Sequence, residues 1–241
     1  MMPTPKILII VPALNEAGNI GRTIKQIYAI PLSIDVLVID DGSTDQTADE
    51  ARAHGARVVS LPFNLGIGGA VQTGFQYAFR GGYDIAVQID GDGQHDGAFL
   101  PQLIQPILDR QADMAIGSRF LEASDGFKST FGRRIGIGFF VNLIGILTGI
   151  RVTDPTSGFR ALNKKLIAVF ADYYPHDFPE PEAVVLAHRL NAVIKEVPVI
   201  MRARQSGSSS IRHLKSLYYM IKVTVAILLH MMRKPKGERI V

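Results

Sequence analysis

The chain has 241 residues, a formal net charge of +4, 47% apolar residues and no cysteine. That length fits one α/β domain with an appendage and buries most of its apolar surface. The lack of cysteine excludes disulfides and thiolate metal sites, so any metal ion must be held by oxygen or imidazole ligands.

Met1 to Pro5 runs straight into the apolar segment Ile7 to Val11, without the basic leader and cleavage site of a secretory signal. Further apolar runs at Val36 to Ile39, Arg57 to Leu61, Ile85 to Ile89 and Met114 to Ile116 also read as buried strands. Between them lie segments of helical spacing. Asn19 to Tyr28 places Ile20, Ile24 and Ile27 on one face, and Thr44 to Ala53 starts among the capping-competent Ser43, Thr44 and Asp45. This alternation predicts a mostly parallel, Rossmann-like sheet flanked by helices, with its ligand crevice beyond the carboxyl ends of the strands. Pro12 to Glu16 follows the first strand, Asp40 and Asp41 end the second, and Asp90 to Asp96 follows a later one. Three polar clusters therefore converge on one edge.

Beyond Arg119 the alternation fades. Phe139 to Ile150 is apolar, with Gly136, Gly138, Gly145 and Gly149 along it, and is too short to span a bilayer. His213 to Met232 reads as a last helix, rich in Leu, Ile, Val, Tyr and Met but interrupted by Lys215, Lys222 and His230. An amphipathic helix lying in a membrane interface fits that pattern, and packing on the domain or in a homodimer is the alternative. From Arg202 onward the bases Arg202, Arg204, Arg212, Lys215, Lys222, Arg233, Lys234, Lys236 and Arg239 face only Glu238. An anionic membrane surface suits this segment better than nucleic acid, because few aromatics are interleaved and no nucleic-acid-binding motif is present.

The sharpest chemical signal is Asp90-Gly91-Asp92-Gly93-Gln94-His95-Asp96, where two carboxylates one residue apart in a glycine-rich turn can face a divalent cation that also contacts diphosphate oxygens. Mg²⁺ or Mn²⁺ is the natural cation. A calcium-binding EF-hand is excluded, since its obligatory Gly and Glu positions hold His95 and Pro101. His95 reads as a residue that orients the loop rather than a metal ligand. Asp40 to Asp45 can either cap a helix or offer a carboxylate to a nucleotide base. Pro12 to Glu16 can likewise be a turn with a cap from Asn15 or Asn19. Asn64 to Ala70 is glycine-rich but contains neither GxGxxG nor the Lys and Ser or Thr of a P-loop, and reads as close backbone approach near a nucleotide.

In order and spacing these motifs resemble those of the family-2 glycosyltransferases of GT-A fold, and within them the dolichyl-phosphate mannose synthase branch. The resemblance is carried by Val11-Pro12-Ala13-Leu14-Asn15-Glu16, Val38-Ile39-Asp40-Asp41-Gly42-Ser43-Thr44-Asp45, Asp90-Gly91-Asp92-Gly93-Gln94-His95, Gly117-Ser118-Arg119 and Thr153-Asp154-Pro155-Thr156-Ser157-Gly158-Phe159-Arg160. It implies an inverting, metal-dependent hexosyltransferase that uses a nucleotide-sugar donor of GDP-mannose or UDP-glucose type and a polyprenyl-phosphate acceptor. It covers roughly the first two thirds of the chain and implies a GT-A domain over residues 1–210; the basic amphipathic helix over 211–241 then reads as a membrane-surface or dimer contact, with a location peripheral to the cytoplasmic face of a membrane. Carried over residue by residue, Pro12, Leu14, Glu16 and Asp41 line the nucleoside pocket, and Asp90, Asp92 and Gln94 hold the metal. Arg119 lies near the sugar or diphosphate, while Asp154 and Arg160 shape the acceptor side. The family's later basic motif is matched at Arg204, Gly207 and Ser209, with Ser210 in place of its Lys and Asp96 where the branch has Pro. Arg202, Arg204 and Arg212 are then the phosphate-clamping candidates.

A lipid monophosphate is already an anionic nucleophile near neutral pH and needs no strong base. A saccharide hydroxyl acceptor would need one, and Glu180 or Glu182 are the candidates. A receiver domain would end near half this length, a non-catalytic nucleotide-sugar module could dispense with Asp90 and Asp92, and a nucleotidyltransferase would need a basic glycine-rich N-terminal loop.

Overall fold

In the computed structural model, whose described residues are 4–121, 131–176, 179–201 and 213–232, the first apolar run forms β1 (Ile7–Ala13), buried along its whole length. Burial on both faces is what a continuous apolar strand requires. It is followed by α1 (Ile20–Tyr28), β2 (Ile34–Asp40), α2 (Thr47–Ala53), β3 (Arg57–Ser60), α3 (Gly66–Arg80) and β4 (Ile85–Gln88). A 3-10 turn (Gly97–Phe99) then leads into α4 (Leu100–Leu108), β5 (Met114–Ser118), α5 (Phe131–Thr148), β6 (Arg160–Asn163), α6 (Lys164–Asp172), α7 (Pro179–Arg189), β7 (Ile194–Pro198) and α8 (His213–Met232).

These strands form one seven-stranded sheet in the order β3-β2-β1-β4-β6-β5-β7. Only β6 is antiparallel to its neighbours. The chain winds outward from β1 through β2 to β3, then crosses back so that β4 lies on the other side of β1. Such a reversal of winding opens a crevice beyond the carboxyl ends of β1 and β4. Because β6 runs backwards, its first residue, Arg160, pairs with Gln88 of β4 and Ile116 of β5. The 153–159 segment is thereby delivered to the same edge as the ends of β4 and β5.

Helices cover both faces. Ile20, Ile24 and Ile27 of α1 pack with Leu100, Leu103 and Ile104 of α4 on one side, and α3, α5, α6, α7 and α8 close the other. On that second side α8 contributes the buried Val223 and Ile227 to the main core, so its inner surface belongs to the same packing unit as the sheet. At the opposite sheet edge Asp113 accepts from Asn163 Nδ2 at 2.6 Å and from the Val193 amide at 2.7 Å, tying the start of β5 to the end of β6 and the entrance of β7.

One local expectation changes. Asn19 sits at the start of α1, but its side chain is engaged with Glu16 and Arg22 rather than with the helix amides. The glycine-rich stretch after Asn64 opens the first turn of α3, and Gly68 within it approaches the connection between α6 and α7. A Cβ on Gly68 would lie 2.1 Å from the His176 carbonyl oxygen and 2.2 Å from that of Pro175.

Backbone atoms cannot yield there, so Gly68→Ala should cost about 2–3 kcal/mol, a fall in Tm of about 5–10 °C for a chain of this size. Gly136 in α5 has nothing within 4 Å of its Cβ position. Gly136→Ala should therefore raise stability by up to about 1 kcal/mol. Paired thermal melts check both; equal midpoints would contradict the packing assigned to Gly68.

Candidate active site

At the end of β1 the backbone enters the left-handed region at Asn15, with φ of 54°, and the loop that follows is fastened to the loop after β2. The Asn15 amide donates to Ser43 Oγ at 3.0 Å, Asn15 Oδ1 accepts from the Thr44 amide at 2.9 Å, and the Glu16 amide donates to Thr47 Oγ1 at 2.8 Å. Asp45 accepts from Ala17 and Thr47. Burial raises its pKa, but those hydrogen bonds prevail and hold the carboxyl below its ordinary value. Two strand ends thus present one rigid rim.

Asp41, buried at the end of β2, accepts from the amides of Leu65 at 2.7 Å and Gly66 at 2.9 Å. It therefore caps α3, the next helix but one along the chain, rather than α2. Burial raises its pKa, with the two amides opposing that shift and Asp40 reinforcing it. Pro12 is buried, Leu14 is exposed, and Glu16 accepts from Asn19. The four residues assigned to a nucleoside pocket therefore sit at the adjacent ends of β1 and β2. On the segment after β3, Phe63 and Leu65 are 64% and 44% exposed.

Beyond β4 comes the carboxylate turn. Asp92 Oδ1 accepts from the Gln94 amide at 3.0 Å, Asp96 Oδ1 from the Ala98 amide at 3.1 Å, and the Gly91 carbonyl from Thr23 Oγ1 at 3.3 Å. Asp90 has a side chain 35% exposed, and the buried His95 brings Nε2 to 3.3 Å from its Oδ2. Among the described residues no three His, Cys, Asp or Glu side chains gather as a complete cation cage. The two carboxylates and the amide oxygen of this turn are hard oxygen donors that could supply part of a shell. Mg²⁺ and Mn²⁺ suit such a site, because they keep water and substrate phosphate in the remaining positions.

The third group of residues surrounds the end of β5. Arg119 Nε donates to Asp154 Oδ2 at 2.6 Å and Nη2 donates to Oδ1 at 2.7 Å, with Asp154 0% exposed. Thr156 Oγ1 accepts from the same guanidinium at 3.0 Å. Glu196 on β7, which sequence reasoning did not single out, accepts from the amides of Thr153 at 2.7 Å and Asp154 at 2.8 Å. Arg160 is buried, and its guanidinium donates to the carbonyls of Ser157, Pro155 and Glu180, at 2.7, 2.7 and 2.8 Å. Asp154 and Arg160 therefore hold the 153–160 loop in shape, Asp154 through Arg119 and Arg160 through backbone oxygens. Arg204, with Arg202 and Arg212, lies outside the described residues.

Glu180 opens α7 beside this loop. Burial pushes its carboxyl up to about 6, with Arg160 opposing the shift and Asp90 adding to it. Glu182 is buried in the same turn.

The glycosyl transferase family 2 model matches residues 8–170. Undecaprenyl-phosphate mannosyltransferase of Micrococcus luteus is 32% identical over 215 residues, covering 85% of this chain and 86% of that protein. UDP-N-acetylglucosamine--dolichyl-phosphate N-acetylglucosaminyltransferase of Methanococcus voltae is 29% identical, covering 80% and 84%. Among solved structures, glucosyl-3-phosphoglycerate synthase of Mycobacterium tuberculosis with Mn²⁺, UDP and phosphoglyceric acid matches with a TM-score of 0.72 and 25% identity, over 97% of this chain and 80% of that one. The same mycobacterial enzyme is also known with Mg²⁺ and UDP. With the strand-end motifs, the reversed β6 and this match over well more than half its length, the chain belongs to glycosyl transferase family 2 and is a glycosyltransferase of GT-A fold.

Proposed function

We propose that this enzyme moves a hexose, with inversion, from a nucleotide-diphosphate sugar to a polyprenyl phosphate at a membrane surface. The observation that carries the reading is the meeting, on one sheet edge, of the Asp90-Asp92 turn with the end of β5, where Arg119 is held rigidly by Asp154. Asp90, Asp92 and Gln94 would hold Mg²⁺ or Mn²⁺, and a bound cation would neutralise charge on the departing diphosphate. Arg119, oriented by a buried partner, would present a fixed guanidinium to the donor phosphates or the sugar. Pro12, Leu14, Glu16 and Asp41 would receive the nucleoside. The phosphate nucleophile brings its own negative charge, so positioning in line with the anomeric carbon is the chain's main task. Relatives that act on undecaprenyl phosphate and dolichyl phosphate support this acceptor class.

A second reading has a specific observation behind it. A carboxyl pushed up to about 6 at the head of α7 is matched to general-base work on a saccharide hydroxyl near neutral pH. Glu180→Gln distinguishes the two, since it removes a base that only the hydroxyl acceptor needs.

The membrane location is supported by the helices over α7. Among the described residues no helix is long and apolar enough to cross a bilayer. Yet α8, with Val223 and Ile227 buried, also exposes Ile221, Val225, Leu228, Leu229 and Met232. A helix with an apolar outer face in addition to its buried one fits an interfacial seat, with the basic residues that follow it in sequence at headgroup level. Ile135, Phe139 and Ile146 of α5, a helix that also contacts α7, are exposed as well.

Release of nucleoside diphosphate from a panel of UDP- and GDP-sugars with Mn²⁺ should depend on added short-chain polyprenyl phosphate. It should fall about 100-fold or more in Asp92→Ala and stay near wild type in Glu180→Gln. Release indifferent to lipid, together with loss in Glu180→Gln, would transfer the reading to a hydroxyl acceptor. In vesicle sedimentation the full chain should pellet with phosphatidylglycerol-containing liposomes, and the Val225→Glu, Leu229→Glu double variant should remain in the supernatant. Equal pelleting of both would remove α8 from the membrane contact.

A further inference from the structure

Asp90 is enclosed on two sides by residues that the donor-site reading leaves without a task. His95 places Nε2 3.3 Å from Asp90 Oδ2, and its ring lies against Phe159 with centroids 5.1 Å apart and planes inclined by 32°. On the other side runs Gly158, where a Cβ would stand 3.0 Å from each oxygen of the Asp90 carboxylate. Only a glycine lets the 153–159 segment pass this close without displacing the carboxylate. The backbone of His95 is itself pinned by an antiparallel bridge to Met201, whose Sδ lies 3.6 Å from Arg119 Nη1.

We propose that His95 is a positioning residue for the divalent cation, acting through Asp90. A carboxylate that must meet a cation in a fixed direction gains from an imidazole nitrogen close to one oxygen, because that neighbour restricts the rotation about Cβ–Cγ that coordination would otherwise have to freeze. The imidazole is held so that it cannot follow a wandering carboxylate. Its ring is buried against Phe159, its main chain is bridged to Met201, and Gly158 closes the direction of retreat. The Ser157-Gly158-Phe159 segment thus has a second task beyond shaping the acceptor side, which is to back the cation loop. Through Met201 the same contact links the cation loop to Arg119, so the two charged elements of the donor site share one support.

The inference rests on the reading of Asp90 and Asp92 as cation ligands, and the test separates the two. Mn²⁺ binding to the full chain in the presence of UDP or GDP is measured by electron paramagnetic resonance for wild type, Asp92→Ala, His95→Phe and His95→Gln, with a thermal melt of each. Wild type should bind Mn²⁺ and Asp92→Ala should not. His95→Phe, which keeps the ring against Phe159 and removes the donor, should weaken binding about 10-fold or more. His95→Gln, whose amide nitrogen reaches the place of Nε2, should recover most of that loss, with all melts close together. Equal binding by wild type and Asp92→Ala would overturn the cation site itself. Loss in Asp92→Ala with wild-type binding in His95→Phe would leave the site standing and overturn the role of His95. Equal weakening in His95→Phe and His95→Gln, accompanied by a lowered melt, would reduce His95 to a packing residue and also overturn the proposal.

Discussion

The edge of the sheet depends on one buried charge pair. Asp154 is wholly removed from solvent, and an ionised carboxylate in that position is tenable only if it is paired and fully hydrogen-bonded. Arg119 meets it with two parallel bonds, Thr156 adds a third contact to the guanidinium, and Glu196 takes the amides of Thr153 and Asp154 itself. Removing either partner would leave a bare charge in the interior, at a cost of about 3–5 kcal/mol. The pair therefore binds the end of β5, the segment before β6 and strand β7 into one body. The 153–160 segment inherits its position from that body.

Against this fixed half stands the half at the ends of β1 and β2, the proposed donor half, built differently. There the loops after β1 and β2 are joined by hydroxyl, amide and carboxylate bonds at their rims, and Asp41 reaches across to fasten the start of α3. The two halves face one another across the crevice opened by the change of winding between β1 and β4, with the Asp90 turn between them. This arrangement suits a transferase. In the proposed reading one wall would recognise the nucleotide, the other would hold the acceptor, and the charged groups would lie where the bond is exchanged.

Much of the donor half was legible in the sequence, because apolar runs that end in Asp40-Asp41 or in Asp90-Gly91-Asp92 state both a strand and the polar group at its end. The five strand runs of the first half reappear as β1 to β5, with boundaries moved by two residues at most. What escaped did so for physical reasons. Strand β6, Arg160 to Asn163, is four residues long and alternates with neither period, and β7, Ile194 to Pro198, carries Lys195 and Glu196 in an edge strand. Helix α3 was hidden by its glycines, which serve close packing on Ile10 and on the Pro175 and His176 carbonyls. Glu196 could not be found at all by local pattern. Its partners, Thr153 and Asp154, lie more than forty residues away, and only the sheet brings them together.

The central claim is that a divalent cation sits on the Asp90-Asp92 turn between the two halves. Anomalous diffraction from crystals grown with Mn²⁺ and a nucleoside diphosphate tests it most directly. The account predicts a peak about 2.1 Å from carboxylate oxygens of Asp90 and Asp92, with the diphosphate on its far side and the base beside Asp41. A nucleotide bound at this edge with no peak at the turn, or a peak held by other residues, would contradict it.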